Sequence, residues 1–539
     1  MLTGLIAAGL LAATATTPAP AAQTTPVAQT TPAAQTTPVA QTIPAAQTTP
    51  ATASAPVNVR VTRAEVSRPI APGFVGFSFE FPAVRAYAGT NPRAINPVLV
   101  RLIRNLAPDQ APVLRIGGNS TDDSWWPLPG VTPPPGITFS LDHNWLATTR
   151  ALATQTGARL ILGVNLKLDS IAEAAAEARA YRTGIGSRLI GALEIGNEPE
   201  LYSVFPWYLD ATGAPFYARA RPFGFSSYEQ EVAAIARRLG RLGLAGPATG
   251  VPSWLSRTAA LFATEPHLNV VTYHRYPLLA CFTKPGDPRY PTVESLLSAD
   301  SARDLLPGTG PVIALAHSRG ATFRLDELNS VACRGQAGVS DTFASALWML
   351  DTLFAVARAG VDGVNIHTLP GAAYAPFVFR RVGGRWLATV RPEYYGLQAF
   401  TQAAPAGSRL LATSAPSASE VRVRATITPT GLIHVVLINP SETAGQLLRL
   451  HVPSGLDPTT VLERLEAPSA SATEGVTLGR QTYGNDTGTG LLKGKLGAVR
   501  LKPVHGAYLI RLPTASAALL TFTPAAAGSR PGPRTGARR

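Results

Sequence analysis

The sequence predicts an α/β fold: a (β/α)8 TIM barrel followed by an antiparallel β-sandwich. Three observations carry that expectation. Eight short apolar runs recur between positions 76 and 367, most of them separated by stretches with the i, i+3, i+4 apolar spacing of a helix. After position 400 the apolar period changes to two, with turn residues between the runs. The fourth and seventh of the eight runs are each followed within three residues by a glutamate, at the strand end where such a barrel carries its active site. A doubly wound parallel sheet is the alternative reading of the same alternation.

The chain has 539 residues, too long for one ordinary core, so two or more domains are expected. Residues 1–21 resemble a secretory signal: an apolar run at 2–13 precedes the small residues Ala19 and Ala21 at cleavage spacing, although no Lys or Arg comes before the run. A run that short does not span a bilayer, so export without stable membrane insertion is expected, to a secreted or periplasmic location. From 22 to 50 the chain repeats AQTTP-A/V with a period of six, low in charge and without aromatics, and 22–56 reads as an extended linker.

The alternating stretch 57–70 reads as a half-buried strand that joins the C-terminal sandwich. The barrel is assigned to 71–400, with strands at 76–80, 112–116, 159–165, 189–195, 246–251, 269–274, 322–326 and 363–367. Helical spacing is clearest at 97–106, 228–242 and 342–359. The sandwich follows at 401–525, and 526–539 is a basic tail with no core-forming residues.

Charged residues make up 15% of the chain, below the usual ~25%, yet the net charge is +14. That excess admits an acidic partner, such as a uronic-acid polymer or nucleic acid, or only an Arg-, Ala-, Pro- and Gly-rich composition with some of the charge in the tail. No strand–helix unit carries a GxGxxG or a P-loop, so nucleotide-cofactor chemistry has no support, and nothing specifies nucleic acid as a partner. The two cysteines, Cys281 and Cys333, each follow a predicted barrel strand closely. In an exported chain they are a disulfide candidate, two free thiols being the alternative, and without CxxC spacing they are poor evidence for a metal site.

The most informative segment is LEIGNEPELY. Pro199 lacks a backbone N–H and disfavours helix at the residue before it, so the strand stops and Glu198 sits at its tip. In TFRLDELNS, Glu327 ends another run. Two carboxylates at two strand ends suit glycosidic bond cleavage, one as acid/base and one as nucleophile, with no cofactor or metal required. Asn197 is placed to hydrogen-bond a sugar 2-hydroxyl. Glu194, four residues before Glu198, should point to the same side as a barrel-interior charge. Asn119 and His367 share the strand-end face, and Trp125 and Trp126 offer either a stacking platform or core. The long loop after Glu198, with Tyr202, Phe205, Trp207, Tyr208, Phe216 and Tyr217, is a candidate aglycone wall or a packed rim loop.

This constellation resembles the retaining (β/α)8 glycosidases that place the acid/base after strand four and the nucleophile after strand seven. Within them it is most similar to glycoside hydrolase family 79, the β-glucuronidase and heparanase family, through VGFSFEF, LRIGGNSTDDSWW, VTYHRYP, ELNSVACRGQAGVSDTFASALWMLD and NIHTLPGAAYAPF. The resemblance implies that Glu80 contacts hydroxyls of the scissile sugar. It also implies that a uronate carboxylate is held by backbone N–H groups of Gly335, Gln336, Ala337 and Gly338 together with Tyr374. The loop reads RGQAG where heparanase-like members have a glycine run. His274 and Tyr276 flank Arg275, and the Tyr276 hydroxyl is expected to donate to Glu327 and keep it ionised. The resulting expectation is a retaining exo-β-glucuronidase acting on a glucuronide or a glucuronic-acid-containing saccharide. The alternatives are an endo-acting heparanase-like enzyme, a β-xylosidase or β-glucosidase, and a non-catalytic polysaccharide-binding protein.

Overall fold

The computed structural model describes residues 55–240 and 242–525. The candidate signal at 1–21, nearly all of the 22–56 linker and the 526–539 tail lie outside those residues. Among the described residues no helix is long and apolar enough to cross a membrane.

Eight parallel strands close into a barrel: Val75–Glu80, Val113–Gly117, Arg159–Val164, Ile190–Ile195, Leu244–Thr249, Leu268–Arg275, Thr322–Leu328 and Gly363–Thr368. The ring is sealed where Leu244 and Ala245 pair with Leu193 and Glu194. Helix starts follow local chemistry. Asn96 caps Pro97–Asn105 by accepting from the N–H groups of Val98 and Leu99, with proline at the first helical position. Asp142 caps His143–Thr156, which stops at Gly157 in the left-handed conformation (φ 74°). The fifth strand begins two residues before its predicted start, because the buried run opens at Leu244, and Pro247, which has no N–H, falls where its pairing with the sixth strand is interrupted between Gly246 and Thr249. The seventh runs to Leu328, which puts Glu327 inside its last residues.

The C-terminal domain is the expected antiparallel β-domain, its ten strands hydrogen-bonded into one sheet that curls around its own core of residues such as Val59, Val423, Val435, Leu450, Ile510 and Leu520. Val57–Glu65 belongs to it, antiparallel to Arg409–Ser414 and parallel to Gln446–His451. In the central strand Ile433–Asn439, Val435 and Leu437 face that core, whereas Val436 and Ile438 belong to the barrel's core. Ser516–Phe522 divides the same way, with Ala517 and Leu519 toward the barrel. These strands are therefore buried on both faces, and the sheet is a buttress for the barrel.

A charged clasp spans that junction. Asp351, on the helix Phe343–Arg358, accepts from Arg422 Nη1 at 2.9 Å and Arg424 Nε at 3.0 Å, both on the sheet, and is 2% exposed. Asp351→Ala would strand two arginines at a mostly dry interface, so it is expected to cost about 2–4 kcal/mol of stability. Urea unfolding measures this, and an unchanged midpoint would show that the clasp contributes nothing.

Candidate active site

The site is built by strand ends that stop sharply. After Ile190–Ile195, Gly196 adopts φ 79°, where an added Cβ would come 2.6 Å from the Tyr202 hydroxyl. Glu198 itself sits at φ 45°, a left-handed conformation uncommon for a residue with a side chain, and such strain clusters at functional sites. Its N–H donates to Ala248 O at 2.8 Å. Asp122 holds this turn from beneath: its carboxylate accepts from the Asn197 amide (3.0 Å), the Tyr202 hydroxyl (2.6 Å) and the amides of Leu166 (2.9 Å) and Lys167 (3.3 Å). Nothing in the sequence reading singled out Asp122.

Glu327 arrives from the opposite wall. The seventh strand slips register against both neighbours between Arg324 and Leu328, and this irregularity turns two successive carboxyls, Asp326 and Glu327, into the barrel. Glu327 Oε1 accepts from the Tyr276 hydroxyl at 2.8 Å, and Oε2 accepts from Arg115 Nη1 at 2.6 Å. One oxygen of Glu198 and one of Glu327 lie within 4.8 Å of each other. Burial pushes the Glu327 carboxyl up, but the charges of His367, His274 and Arg115 and the Tyr276 hydrogen bond outweigh it and hold Glu327 well below the usual carboxylate range.

Arg115 is a second residue the sequence reading missed. It is fully buried in the second strand and binds Glu194 Oε2 at 2.7 Å, Glu327 at 2.6 Å and Asn197 Oδ1 at 2.8 Å. His274 is also fully buried rather than on the rim, with Nδ1 3.1 Å from Glu198 Oε1 and Nε2 3.6 Å from Asp326. Its pKa rises to about 9: burial lowers it, but Glu327 and Asp326 raise it more, against an opposing Arg115 and with help from the Glu198 hydrogen bond. The histidine is thus a cation under Glu198 at neutral pH.

The remaining candidates surround this centre unevenly. Glu80 is clamped by the amides of Asn119 (3.2 Å) and Ser120 (2.8 Å) and by the Ser120 hydroxyl, with His367 Nε2 at 3.5 Å. His367 Nδ1 stands 3.7 Å from Glu327, and Asn197 Nδ2 donates to Asn119 Oδ1 at 3.2 Å. Tyr374 is buried, its ring 6.0 Å from that of His367 and 6.3 Å from that of Tyr276. Beside it, the predicted carboxylate loop is half committed. The Gln336 amide donates to Ser340 Oγ and the Gly338 amide to Asp341 Oδ1, so Gly335 and Ala337 carry the amides without a partner among the described residues. Gly335 has φ 82°, and a Cβ there would strike the Tyr374 amide at 2.8 Å.

Cys281 and Cys333 form a disulfide, Cα–Cα 6.0 Å, tying together the loops after strands six and seven on this face. Trp125 is core, bonded to Ser140, while Trp126 rests edge-on against His143. In the loop after Glu198, Tyr202 and Trp207 are buried. Phe205, packed on the exposed Phe282, the half-buried Tyr208, stacked on the exposed Phe216, and the exposed Tyr217 are the aromatics left for a wall.

Two clusters, Glu194–His274–Asp326 and Glu198–His274–Glu327, have ligand atoms at metal-binding spacing. Both share one histidine and both lie against Arg115, which already supplies the positive charge these carboxylates need. The donor set fits a protein-supplied cation better than a metal ion.

No family model matches the chain. A β-glucuronidase of Neurospora crassa is 23% identical over 402 residues, covering 68% of this chain and 69% of its own length. A β-glucuronidase of Aspergillus niger is 24% identical over 521 residues, covering 85% and 92%. Among solved structures, a 4-O-α-L-rhamnosyl-β-D-glucuronidase from Fusarium oxysporum, in a Rha-GlcA complex, superposes with a TM-score of 0.66 at 19% identity over 86% of this chain and 100% of that one. An α-L-arabinofuranosidase of family 51 from Thermotoga petrophila reaches 0.59 at 16% identity, covering 86% and 99%. The chain thus has β-glucuronidases among its sequence relatives, and its barrel-plus-sheet fold is that of glycoside hydrolases.

Proposed function

We propose that this glycoside hydrolase is a retaining exo-β-glucuronidase. The observation that carries the reading is the facing pair: an ionised Glu327 between Arg115 and Tyr276, with Glu198 close opposite on a cationic histidine. A retaining mechanism asks for carboxyls about 5–5.5 Å apart, and the spacing here is compatible with that. Glu198 protonates the glycosidic oxygen as the Glu327 carboxylate attacks the anomeric carbon. The bond to the leaving group breaks and a glycosyl ester on Glu327 forms. Glu198, now a carboxylate, takes a proton from water, which attacks the same carbon and releases glucuronic acid with its β configuration and free Glu327.

The glucuronate specificity rests on the β-glucuronidases among the relatives and on the wall beside Glu327, where the Gly335 and Ala337 amides and the Tyr374 hydroxyl supply donors for a carboxylate. Glu80 and Asn197 are assigned to sugar hydroxyls. Export is part of the same proposal, supported by the Cys281–Cys333 disulfide, and cell fractionation of the source organism tests it.

The decisive experiment compares p-nitrophenyl β-glucuronide with p-nitrophenyl β-glucoside. The glucuronide is expected to turn over at least about 100-fold better in kcat/KM, because the glucoside would leave the site's buried donors unmatched. Preference for the glucoside would leave the acid/base pair standing and sink the uronate assignment.

A further inference from the structure

Beneath the two glutamates, the barrel interior holds two more carboxyls that the reaction does not use. Glu194, on the fourth strand, and Asp326, on the seventh, are both fully buried. Arg115 Nε lies 2.7 Å from Glu194 Oε2 and 3.2 Å from Asp326 Oδ2. A ligand atom from each carboxyl and one from His274 all lie within 4.8 Å of one another. Glu194 Oε1 and both Asp326 oxygens accept no hydrogen bond from a fixed donor.

The charged and titratable groups around the pair come from three strands and one helix. They are Arg115 on the second strand, His274 on the sixth, Arg324 and Glu327 on the seventh, and Tyr228 on the helix Phe225–Leu239. Arg324 is bonded to Asn365 and to the carbonyls of Gly73 and Val364, and Arg115 is shared with Glu327. Two carboxylates within 4.8 Å of each other in a dry interior oppose each other's ionisation. Burial, then the charge of Glu194, pushes Asp326 well above the usual range, against the pull of Arg115 and His274. Burial pushes Glu194 up too, but Arg115 and the hydrogen bond from Asp326 outweigh it and keep Glu194 ionised. The proton on Asp326 then bridges to Glu194 and supplies the missing donor.

We infer that Glu194 and Asp326 share one proton and form a single-charge positioning pair that fixes Arg115 and His274, and through them Glu327 and Glu198. The inference rests on the roles proposed above for those two glutamates. Neither member of the pair touches the substrate. Their work is to hold one negative charge, and only one, under the site.

The consequence is a distinctive pattern of substitution. Asp326→Asn keeps the donor to Glu194. Glu194→Gln moves the charge onto Asp326, with the new amide donating back. Each single variant retains one negative charge and is expected to keep kcat/KM within about tenfold, with an unmoved pH–rate profile. The double variant loses the charge, so its rate is expected to fall more than about 100-fold beyond the product of the singles. Its surviving profile should move to lower pH, because removing a buried negative charge lowers the pKa of every group around it. Apparent melting temperatures should show the same pattern without any substrate: two near-normal singles and a depressed double.

A packing role would leave the pH profile in place, and two independent charges would give additive losses. Either result overturns the inference, as does a single variant whose profile shifts. Should the double variant fail to fold, the unmoved profiles and melting temperatures of the singles still decide. Absence of glycosidase activity in the wild type would refute the proposed function, and the melting cycle would still test the pair.

Discussion

Replacing Glu327 by glutamine is expected to lower kcat on p-nitrophenyl β-glucuronide by about 10⁴-fold or more, which is at least about 5.5 kcal/mol of lost transition-state stabilisation. The amide has nearly the shape of the carboxylate and still accepts from the Tyr276 hydroxyl, so the architecture survives. What disappears is the negative charge that attacks the anomeric carbon. A neutral amide forms no stable glycosyl ester, and no neighbouring carboxylate replaces it: Glu198 lies across the sugar, and Glu194 and Asp326 lie below it. The variant is also expected to be less stable at neutral pH, because Arg115 and His274 lose a counter-charge. The sign of the pH dependence follows. The folded carboxyl of Glu327 is held below its unfolded value of about 4.3, so its stabilisation is present above that pH and fades as pH falls through the lower folded value. The stability gap between wild type and variant should therefore be widest near pH 7 and shrink toward pH 3. Kinetics with active-site titration and melts at both pH values check the two halves. A rate loss below tenfold would remove Glu327 from the nucleophile position.

The parts of this site that could be read in advance are those where chain chemistry is local. A proline after an apolar run stops a strand whatever surrounds it, so Glu198 could be placed at a strand tip from NEP alone. Glu327 was placed by the same end-of-run logic, although the strand continues one residue past it. Arg115 was hidden because LRIGG reads as an apolar run if its charge is passed over. A signal was present: a charge inside a strand with both faces covered needs buried partners, and Glu194 and Asp326 stood in two other such runs. The bulge that turns Asp326 and Glu327 the same way depends on the register of neighbouring strands, which no single segment records. For the same reason, period-two alternation marked which residues of the C-terminal strands are buried but not that they form one curled sheet. The RGQAG loop shows the limit on the binding side. Its backbone donors were legible as a class, but that Ser340 and Asp341 already occupy two of them is a tertiary fact.

Glu198→Ala separates the two halves of the reaction, and its effect should depend on the leaving group. p-Nitrophenolate departs without protonation, so the glycosyl ester on Glu327 should still form at a substantial rate. Its hydrolysis loses the base that activates water and should slow by about 10²–10⁴-fold. Deglycosylation then limits turnover: the ester accumulates, a burst of p-nitrophenol appears, and KM falls. With a saccharide aglycone, the first step needs the proton as well, so kcat/KM should drop by a comparable factor and no burst should be seen. Azide sharpens the distinction because it is an anion that attacks without a base and is small enough to enter the space the glutamate leaves. It should restore turnover of the nitrophenyl substrate and yield β-glucuronyl azide, since the second displacement restores the starting configuration at the anomeric carbon. The buried His274 below Glu198 does not substitute for it: at a pKa of about 9 it carries its proton at neutral pH and is no base. Equal losses on both leaving groups, with no burst and no azide rescue, would mean that Glu198 is a structural member of the network and that the proton is delivered from elsewhere.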